Sequence, residues 1–198
     1  MRLALFDFDG TITTRDSLFD FLLFTFGAAR CAAGLIVLGP VLVLYVLKKI
    51  PNCKAKEAVF RHFFKGWSIE RFEKVGERYS RERLDHIIMG QARERIEWHR
   101  TGGHRIIVVS ASVETWMREW CGRYGIGIIA TRLESAQGKL TGRIDGANCQ
   151  GPEKVRRIRE AVNLDEYEYI YAYGNTRGDA DMLSLAHEQY YNWVKVAG

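Results

Sequence analysis

Two acidic side chains stand one residue apart at the end of the first apolar run of the chain. The run Leu3-Ala4-Leu5-Phe6 leads directly into Asp7-Phe8-Asp9-Gly10-Thr11. A short apolar run that ends at a glycine is typical of a buried parallel strand, and strand alternation points Asp7 and Asp9 to one face. Two like charges this close are costly unless something offsets them. The pattern therefore favours a divalent cation and a bound phosphate over a simple surface turn.

The two carboxylates could divide the work of phosphoryl transfer. Hydrolysis of a phosphate monoester needs a nucleophile, a proton donor for the leaving oxygen, a metal ion and positive donors around the other phosphate oxygens. Asp7 could attack phosphorus and form an aspartyl-phosphate. Asp9 could protonate the leaving alkoxide and then take a proton from the attacking water. We predict both as catalytic residues and as ligands of Mg²⁺.

The remaining groups are offered by five residues that lie later in the chain. Ser110 follows an apolar run and could donate its hydroxyl to a phosphate oxygen, with the N–H of Ala111 as a second donor at the start of the next helix. Lys154 could neutralise the charge of the phosphate and of the nucleophile. Asn175 and Asp179 could complete an oxygen shell for Mg²⁺. Each residue is a weak signal alone, so the prediction depends on their order and on their places at strand ends.

These residues need a scaffold that brings distant parts of the chain together. Apolar runs at 3–8, 105–109, 127–130, 169–173 and 190–193 predict strands, and patterns at 113–124, 153–162 and 180–186 predict helices. Alternating strands and helices indicate an α/β fold with a Rossmann-like parallel sheet. Ligands of such sheets bind beyond the carboxyl ends of the strands, which is where Asp7, Ser110 and Asn175 fall.

A long segment interrupts this alternation after the first strand. Residues 16–100 are too long for one crossover helix and too helical in pattern for a loop. We predict an inserted helical cap at 16–100 over a catalytic core formed by 1–15 and 101–198. Residues 133–146 differ from both and predict a small β-hairpin that turns at Gly138.

Taken together, the motifs resemble those of the haloacid dehalogenase (HAD) superfamily of hydrolases. The first motif is Asp7 to Thr11, the second Val108 to Ser112, the third Lys154 and the fourth Gly174 to Asp179. The resemblance covers essentially the whole chain, and the insertion after the first motif is similar to that of subfamily IB, the phosphoserine-phosphatase-like members. It implies a Rossmann-like core, a helical cap, Mg²⁺ and a two-step phosphatase mechanism through an aspartyl-phosphate.

Two positions bear on how far this resemblance extends. By its spacing from Asp7, Asp16 stands where phosphoserine phosphatases carry an acidic residue that binds the substrate amine, which implies a substrate-binding role. Asn175 departs from the family, whose fourth motif usually has a metal-binding Asp there. An amide oxygen can bind a hard cation but brings no charge, which predicts weaker metal binding or a larger share for Asp179. A non-catalytic relative that binds a membrane or a partner is therefore an alternative.

The predicted cap contains a segment without charge. Residues 31–47 hold no Asp, Glu, Lys, Arg or His, and lysines follow from Lys48 onward. The segment is at the short limit for a membrane span, and Gly39-Pro40 is expected to interrupt it, so we exclude a span. It either packs inside the cap or forms an apolar surface that docks on an anionic bilayer or holds an acyl chain. In this character the cap resembles that of bacterial phosphatidylglycerophosphate phosphatases.

Composition narrows the function further. The chain has 198 residues and a net charge of +5, which suits an anionic substrate or membrane surface, and no nucleic-acid-binding module is evident. The four cysteines form no C-x-x-C pair, which favours reduced thiols in the cytoplasm. We predict a cytoplasmic, Mg²⁺-dependent phosphomonoesterase. A phospholipid monoester such as phosphatidylglycerophosphate would place it peripherally at the inner face of the membrane, and a small soluble phosphomonoester such as phosphoserine is the alternative.

Overall fold

The central element of the fold is a six-stranded sheet. The computed structural model describes residues 1–196. The strands are β1 (Arg2–Phe6), β2 (Arg105–Val113), β3 (Gly127–Thr131), β6 (Tyr169–Gly174), β7 (Glu188–Tyr191) and β8 (Val194–Val196), in the order β3-β2-β1-β6-β7-β8. All pair in parallel except β8, which is antiparallel to β7. The predicted α/β fold with a parallel sheet is confirmed.

Four helices fill the chain between β1 and β2. They are α1 (Ser17–Val46), α2 (Asn52–Phe64), α3 (Ile69–Glu82) and α4 (Gly90–Thr101). α1 packs on α2 and α3, whereas α4 packs on the sheet, where His99 meets Tyr173 of β6. The division into a core at 1–15 and 101–198 and a cap at 16–100 stays a prediction. By its contacts α4 lies with the sheet.

Helices cover both faces of the sheet because the strand side chains alternate. Leu3 and Leu5 point to the face covered by α6 (Pro152–Ala161) and α7 (Ala180–Leu183). Phe6 points to the opposite face, whose core includes residues of the four earlier helices and of α5 (Arg118–Arg123). Burial on both faces explains why the strands read as continuous apolar runs in the sequence.

α1 is long but is not one regular helix. Asp16 caps its start with a side-chain hydrogen bond to the backbone, and Gly27 breaks the helical geometry with φ 76° and ψ 166°. The interruption expected at Gly39-Pro40 is wrong, because the helix continues through Pro40 to Val46. A proline inside a helix removes the hydrogen bond to the carbonyl four residues earlier. For Pro40 this is the carbonyl of Ile36, an exposed residue. By length and composition, α1 is able to cross a membrane.

β1 ends two residues earlier than predicted. Beyond it, the N–H of Asp7 still donates to the carbonyl of Tyr173 at 2.9 Å. The carbonyl of Phe8 then accepts the N–H groups of residues 11, 12 and 13, which folds the chain into a tight turn. Asp7 therefore lies at the edge of the sheet, and Asp9 lies in the turn beyond it.

β2 is longer than predicted, and the start of the next helix moves accordingly. The strand continues through Ala111 to Val113, which pairs with Thr131 of β3 across a register shift. The expectation that Ala111 opens a helix is therefore wrong. A single 3-10 turn at 114–116 follows, and α5 begins only at Arg118, so the helix predicted at 113–124 is much shorter.

Two hairpins complete the fold. The one predicted at 133–146 is present as β4 (Leu133–Ala136) and β5 (Lys139–Ile144), with positive φ at Gln137 and Gly138. The strand predicted at 190–193 is confirmed only for Tyr190 and Tyr191, which lie in β7. Its second half is wrong, because Asn192 and Trp193 have φ of 49° and 65° and reverse the chain between β7 and β8.

Candidate active site

A buried lysine joins two carboxylates at the carboxyl end of the sheet. Nζ of Lys154 lies 2.6 Å from Oδ1 of Asp7 and 2.6 Å from Oδ1 of Asp179. All three residues are buried, and Lys154 is 1% exposed. Lys154 stands in the first turn of α6, which begins at Pro152, a residue that suits a position where no backbone donor is needed. The fold thus unites three predicted residues from distant parts of the chain.

The charges of these three groups shift one another's pKa values. Burial raises the pKa of Asp7, and the Lys154 ammonium opposes that effect. Burial alone would lower the pKa of Lys154, but the two carboxylates raise it above its usual value. Burial likewise acts to raise the pKa of Asp179, yet Lys154 and the donors of Thr176 lower it below the ordinary range. The lysine therefore stays protonated beside an ionised Asp179.

The second oxygen of Asp179 is also engaged by protein donors. Oδ2 accepts the N–H of Asn175 at 3.2 Å, the N–H of Thr176 at 2.9 Å and the Thr176 hydroxyl at 2.8 Å. Gly174 permits this close turn, since a Cβ there would come within 2.6 Å of the Cβ of Asp179. Asp179 is consequently oriented toward Lys154, with hydrogen-bond donors on both of its oxygens.

Asp7 and Asn175 meet on either side of Thr11. Oγ1 of Thr11 lies 3.3 Å from Oδ2 of Asp7 and 3.3 Å from Oδ1 of Asn175. One hydroxyl carries one hydrogen, so Thr11 can donate to only one of these oxygens at a time. The Asn175 amide nitrogen faces Gly10, where φ is 76° and a Cβ would come within 2.2 Å of that nitrogen. Position 10 therefore requires glycine.

This oxygen pair is the part of the cluster that suits a hard cation. A carboxylate oxygen and an amide oxygen are both ligands that Mg²⁺ accepts, and Mg²⁺ commonly takes few protein ligands beside water and substrate phosphate. Within residues 1–196, no three His, Cys, Asp or Glu side chains converge on a metal site. An ion here would depend on Asn175 as well as Asp7.

Asp9 turns toward α1 and β2. Its Oδ1 accepts the N–H of Ser17 at 2.7 Å, and its Oδ2 accepts the Ser112 hydroxyl. The Ser17 hydroxyl donates to that of Ser112 at 3.1 Å and accepts the indole N–H of Trp116 at 3.0 Å. Burial, followed by the charge of Asp16, raises the pKa of Asp9 to about 6. A carboxyl with such a pKa can both give and take a proton near neutral pH.

Ser110 and Ala111 present polar groups from the end of β2. Oγ of Ser110 accepts the N–H of Ser112 at 3.0 Å, which leaves the hydroxyl hydrogen of Ser110 able to donate. The carbonyl of Ala111 accepts a hydrogen bond from Nζ of Lys56 at 3.0 Å. Burial lowers the pKa of Lys56, and the nearby carboxylates oppose that effect. A lysine of α2 thus reaches the strand that carries Ser110.

An apolar cavity of about 260 Å³ lies between α1 and α2. Its wall includes Leu22, Leu35, Leu38, Leu42, Val59 and Phe63. The charged residues of its lining are Asp16 and Lys56, and Lys56 is the residue that also contacts Ala111. Lys56 therefore connects the lining of this cavity to the strand that carries Ser110.

Some contacts of the site were not predicted from the sequence. They involve Thr11, Ser17, Lys56, Ser112, Trp116 and Thr176. Thr11, Ser112 and Thr176 lie inside the recognised motifs, which is the signal that could have found them. Lys56 lies in the lysine-rich flank of the uncharged segment, and no local pattern shows that it reaches β2.

The comparison with protein families assigns this fold and site to a class of hydrolases. The family model for haloacid dehalogenase-like hydrolases matches residues 4–184, and the chain belongs to this family. The prediction of a HAD superfamily hydrolase is confirmed.

Relatives and solved structures agree over nearly the full length. Protein CicA of Caulobacter vibrioides is 34% identical over 191 residues, 96% of this chain and 85% of that protein. A structure from Bordetella pertussis Tohama I is similar with a TM-score of 0.81 at 23% identity, over 96% of this chain and 89% of that chain. A phosphoserine phosphatase with an analogue of its phospho-aspartyl intermediate gives a TM-score of 0.67 at 21% identity, over 96% and 85%. At these identities the two solved structures establish the fold.

Proposed function

We propose that this hydrolase is a Mg²⁺-dependent phosphomonoesterase that forms an aspartyl-phosphate on Asp7. The observation that carries the proposal is the 2.6 Å contact between the buried Asp7 carboxylate and the Lys154 ammonium. Lys154 favours the ionised form of Asp7, which a nucleophile requires, and supplies positive charge where a phosphate would bind. Neither role is needed for a carboxylate that only terminates a strand.

The two acidic residues take different steps. Asp7 attacks phosphorus as the bond to the leaving oxygen breaks, and protonated Asp9 gives its proton to that oxygen. Asp9 then takes a proton from the water that attacks the aspartyl-phosphate, which releases inorganic phosphate and restores Asp7. The pKa of Asp9, about 6, suits both proton transfers. The Ser110 hydroxyl, the Ala111 N–H and Lys154 bind the oxygens of the phosphoryl group.

Asp7 and Asn175 are the residues we propose to hold Mg²⁺, through the oxygens on either side of Thr11. The bound ion would contribute positive charge toward the phosphate oxygens. Asp179 is a positioning residue for Lys154 in this proposal, since both of its oxygens already accept protein donors. In this proposal the Asp9 side chain serves proton transfer, because both of its oxygens accept protein donors, and its role as a Mg²⁺ ligand stays a prediction.

The substrate we propose is a phospholipid monoester such as phosphatidylglycerophosphate, consistent with a subfamily IB enzyme whose cap is apolar. The cavity between α1 and α2 supports this choice, because an acyl chain can lie against its apolar wall while the headgroup lies near Lys56, which contacts the strand that carries Ser110. Phosphoserine is the second candidate, because the exposed Asp16 carboxylate lines the same cavity and could bind an amine. A small amino acid would leave the apolar wall unused.

Phosphate release from a panel of phosphomonoesters, with and without Mg²⁺, tests the proposal. Phosphatidylglycerophosphate in detergent should be preferred over phosphoserine, and chelation should abolish turnover. Asp7→Asn should lower the rate at least about 1000-fold, whereas Asp165→Asn, at an exposed site, should leave it unchanged. Retained activity in Asp7→Asn would refute the covalent mechanism. A folded wild-type protein without turnover on any substrate would favour the non-catalytic alternative.

A further inference from the structure

The second half of α1 leaves an apolar face uncovered. Eight of the fourteen exposed large apolar side chains in residues 1–196 lie between residues 35 and 47. We call Ile36, Val37, Val43, Leu44 and Leu47 the outer face, since their spacing places them on one side of the helix. Ile36 is 80% exposed and Val43 is 57% exposed. Contiguous exposed apolar surface of this kind marks an interaction site.

The opposite side of the same helix already has its partner. Cys31, Gly34 and Leu38 are buried, and Gly34 lies so close to Phe63 of α2 that a Cβ would meet its ring at 2.3 Å. A helix that is apolar all round is covered on all sides in its working state. Since α2 covers only the inner side, the outer face needs a second apolar partner.

The charges around the outer face indicate what that partner is. No acidic residue occurs from position 21 to position 56, whereas Arg30, Lys48 and Lys49 flank the face and are exposed. Among the residues that the structure describes, neither Lys48 nor Lys49 forms an ion pair. An apolar strip bordered by unpaired cations is complementary to the acyl chains and anionic headgroups of a bilayer.

The helix geometry indicates that it lies on the bilayer and does not cross it. Gly27 breaks α1, so the regular part from residue 28 to 46 is about 28 Å long, near the lower limit for a span. Pro40 cannot donate to the carbonyl of Ile36, and a free carbonyl is tolerated at the hydrated interface but is costly in the hydrocarbon. The inner side also stays attached to α2.

We propose that the outer face docks the protein peripherally on the anionic inner surface of the cytoplasmic membrane. The partner is thus a lipid surface, and its use for catalysis rests on the proposed function. Leu35, Leu38 and Leu42 of the same helix line the cavity that also contains Lys56, whose ammonium contacts the Ala111 carbonyl next to Ser110. Docking by the outer face therefore brings the cavity to the level of the lipid, from which a phospholipid monoester could enter.

Co-sedimentation with vesicles tests the docking directly. The wild-type protein should bind vesicles made of an equimolar mixture of phosphatidylcholine and phosphatidylglycerol. It should bind vesicles of phosphatidylcholine alone much more weakly. Ile36→Glu/Val43→Glu should weaken binding at least about tenfold. Val194→Glu, which changes a residue 68% exposed on β8, is the matched control and should bind as the wild type does. Lys48→Gln/Lys49→Gln should weaken binding about 25-fold.

Other results would overturn the proposal. If the wild-type protein is not found on vesicles at all, or if Ile36→Glu/Val43→Glu binds vesicles as tightly as the wild type, the docking is contradicted. A dimer in sedimentation equilibrium that this variant dissociates would make a second copy of the chain the partner. Binding that resists both high salt and alkaline carbonate would indicate a span. Hydrolysis of a water-soluble phosphomonoester separates the two proposals, because the outer-face variants should retain it. Vesicle binding without any hydrolysis would refute only the proposed function.

Discussion

The carboxyl edge of the sheet and the outer face of α1 violate the usual distribution of residues in opposite ways. At the sheet edge, charged side chains are buried, and Lys154 lies 2.6 Å from each of two carboxylates. On α1, apolar side chains such as Ile36 are exposed to solvent. Charges buried in one region and apolar groups exposed in the other both cost stability when considered alone.

The difference lies in where the compensation comes from. The buried charges are compensated within the chain, because Lys154 and Thr176 supply donors to Asp179. Within residues 1–196 nothing covers the exposed apolar face, and in our proposal the lipid surface does so. Local departures of this kind are expected at functional sites. The first region therefore points to chemistry performed inside the protein, and the second to a surface outside it.

Removal of the buried cation is the strongest test of this comparison. Lys154→Met leaves Asp7 and Asp179 buried without their shared partner, so the free energy of unfolding should fall by about 3–5 kcal/mol. Urea unfolding near neutral pH measures the loss. Lys74→Met, at an exposed ion pair with Glu70 of 2.7 Å, is the matched control and should leave the midpoint unchanged. Equal stability of Lys154→Met and wild type would show that the cluster is not held by charge.

Truncation of the two faces of α1 sharpens the comparison within one helix. Leu38 is 6% exposed and Ile36 is 80% exposed, although only one residue separates them. Leu38→Ala should lower the free energy of unfolding by about 2–4 kcal/mol, because it leaves a cavity against the core. Ile36→Ala should change it by less than about 0.5 kcal/mol. Similar losses in thermal unfolding would mean that the outer face is packed by protein in solution.

The sequence predicts the parts of the site that depend on local pattern and sheet topology. Asp7, Ser110 and Asn175 each stand at or near the end of an apolar run, and carboxyl ends of parallel strands meet at one edge. Lys154 was predicted from its charge and from its place in the order of the motifs, and it lies in the first turn of α6. The α/β class follows from the same alternation.

The remaining features depend on tertiary contacts that no local pattern contains. β2 continues past Ala111 because Val113 pairs with Thr131 after a register shift. The sequence likewise does not predict the orientation of the Asp179 side chain. Only the fold shows that Lys154 and the turn after Gly174 surround it. Pro40 was expected to end a helix, and only the exposed position of that turn explains why it does not.

Asn175 gives a smaller and more specific test of the sheet edge. Asn175→Asp adds a charge to the proposed oxygen pair with Asp7, so Mg²⁺ should bind about tenfold more tightly. Asn175→Ala removes the amide oxygen and should weaken binding. Isothermal titration with Mg²⁺ alone measures both, and Asn163→Asp at an exposed site is the control for added charge. Unchanged affinity in both Asn175 variants would place the ion elsewhere.

The smallest expected effect concerns His99, a buried imidazole that has hydrogen-bond partners but, within residues 1–196, no carboxylate in an ion pair with it. His99 is buried under the sheet, with Nε2 2.9 Å from the Tyr173 hydroxyl and Nδ1 2.8 Å from Nδ1 of His104. Burial, followed by the charges of His104 and Arg95, lowers the pKa of His99 from 6.5 to about 3. Below pH 6.5 the unfolded chain binds a proton that the folded chain does not, so this contribution is complete above that pH and declines as the pH falls.

The free energy of unfolding should therefore drop by about 0.8 kcal/mol between about pH 7.5 and about pH 6 through His99 alone. Urea unfolding at the two pH values measures the drop, and His99→Gln should remove it. His62→Gln, at an exposed position on α2, should leave it unchanged. A pH dependence that survives in His99→Gln would assign it to another group. The result sharpens the comparison. Lys154 is buried in its charged form because carboxylates lie beside it, whereas His99 has no such partner in the described part of the chain and should be buried only in its neutral form.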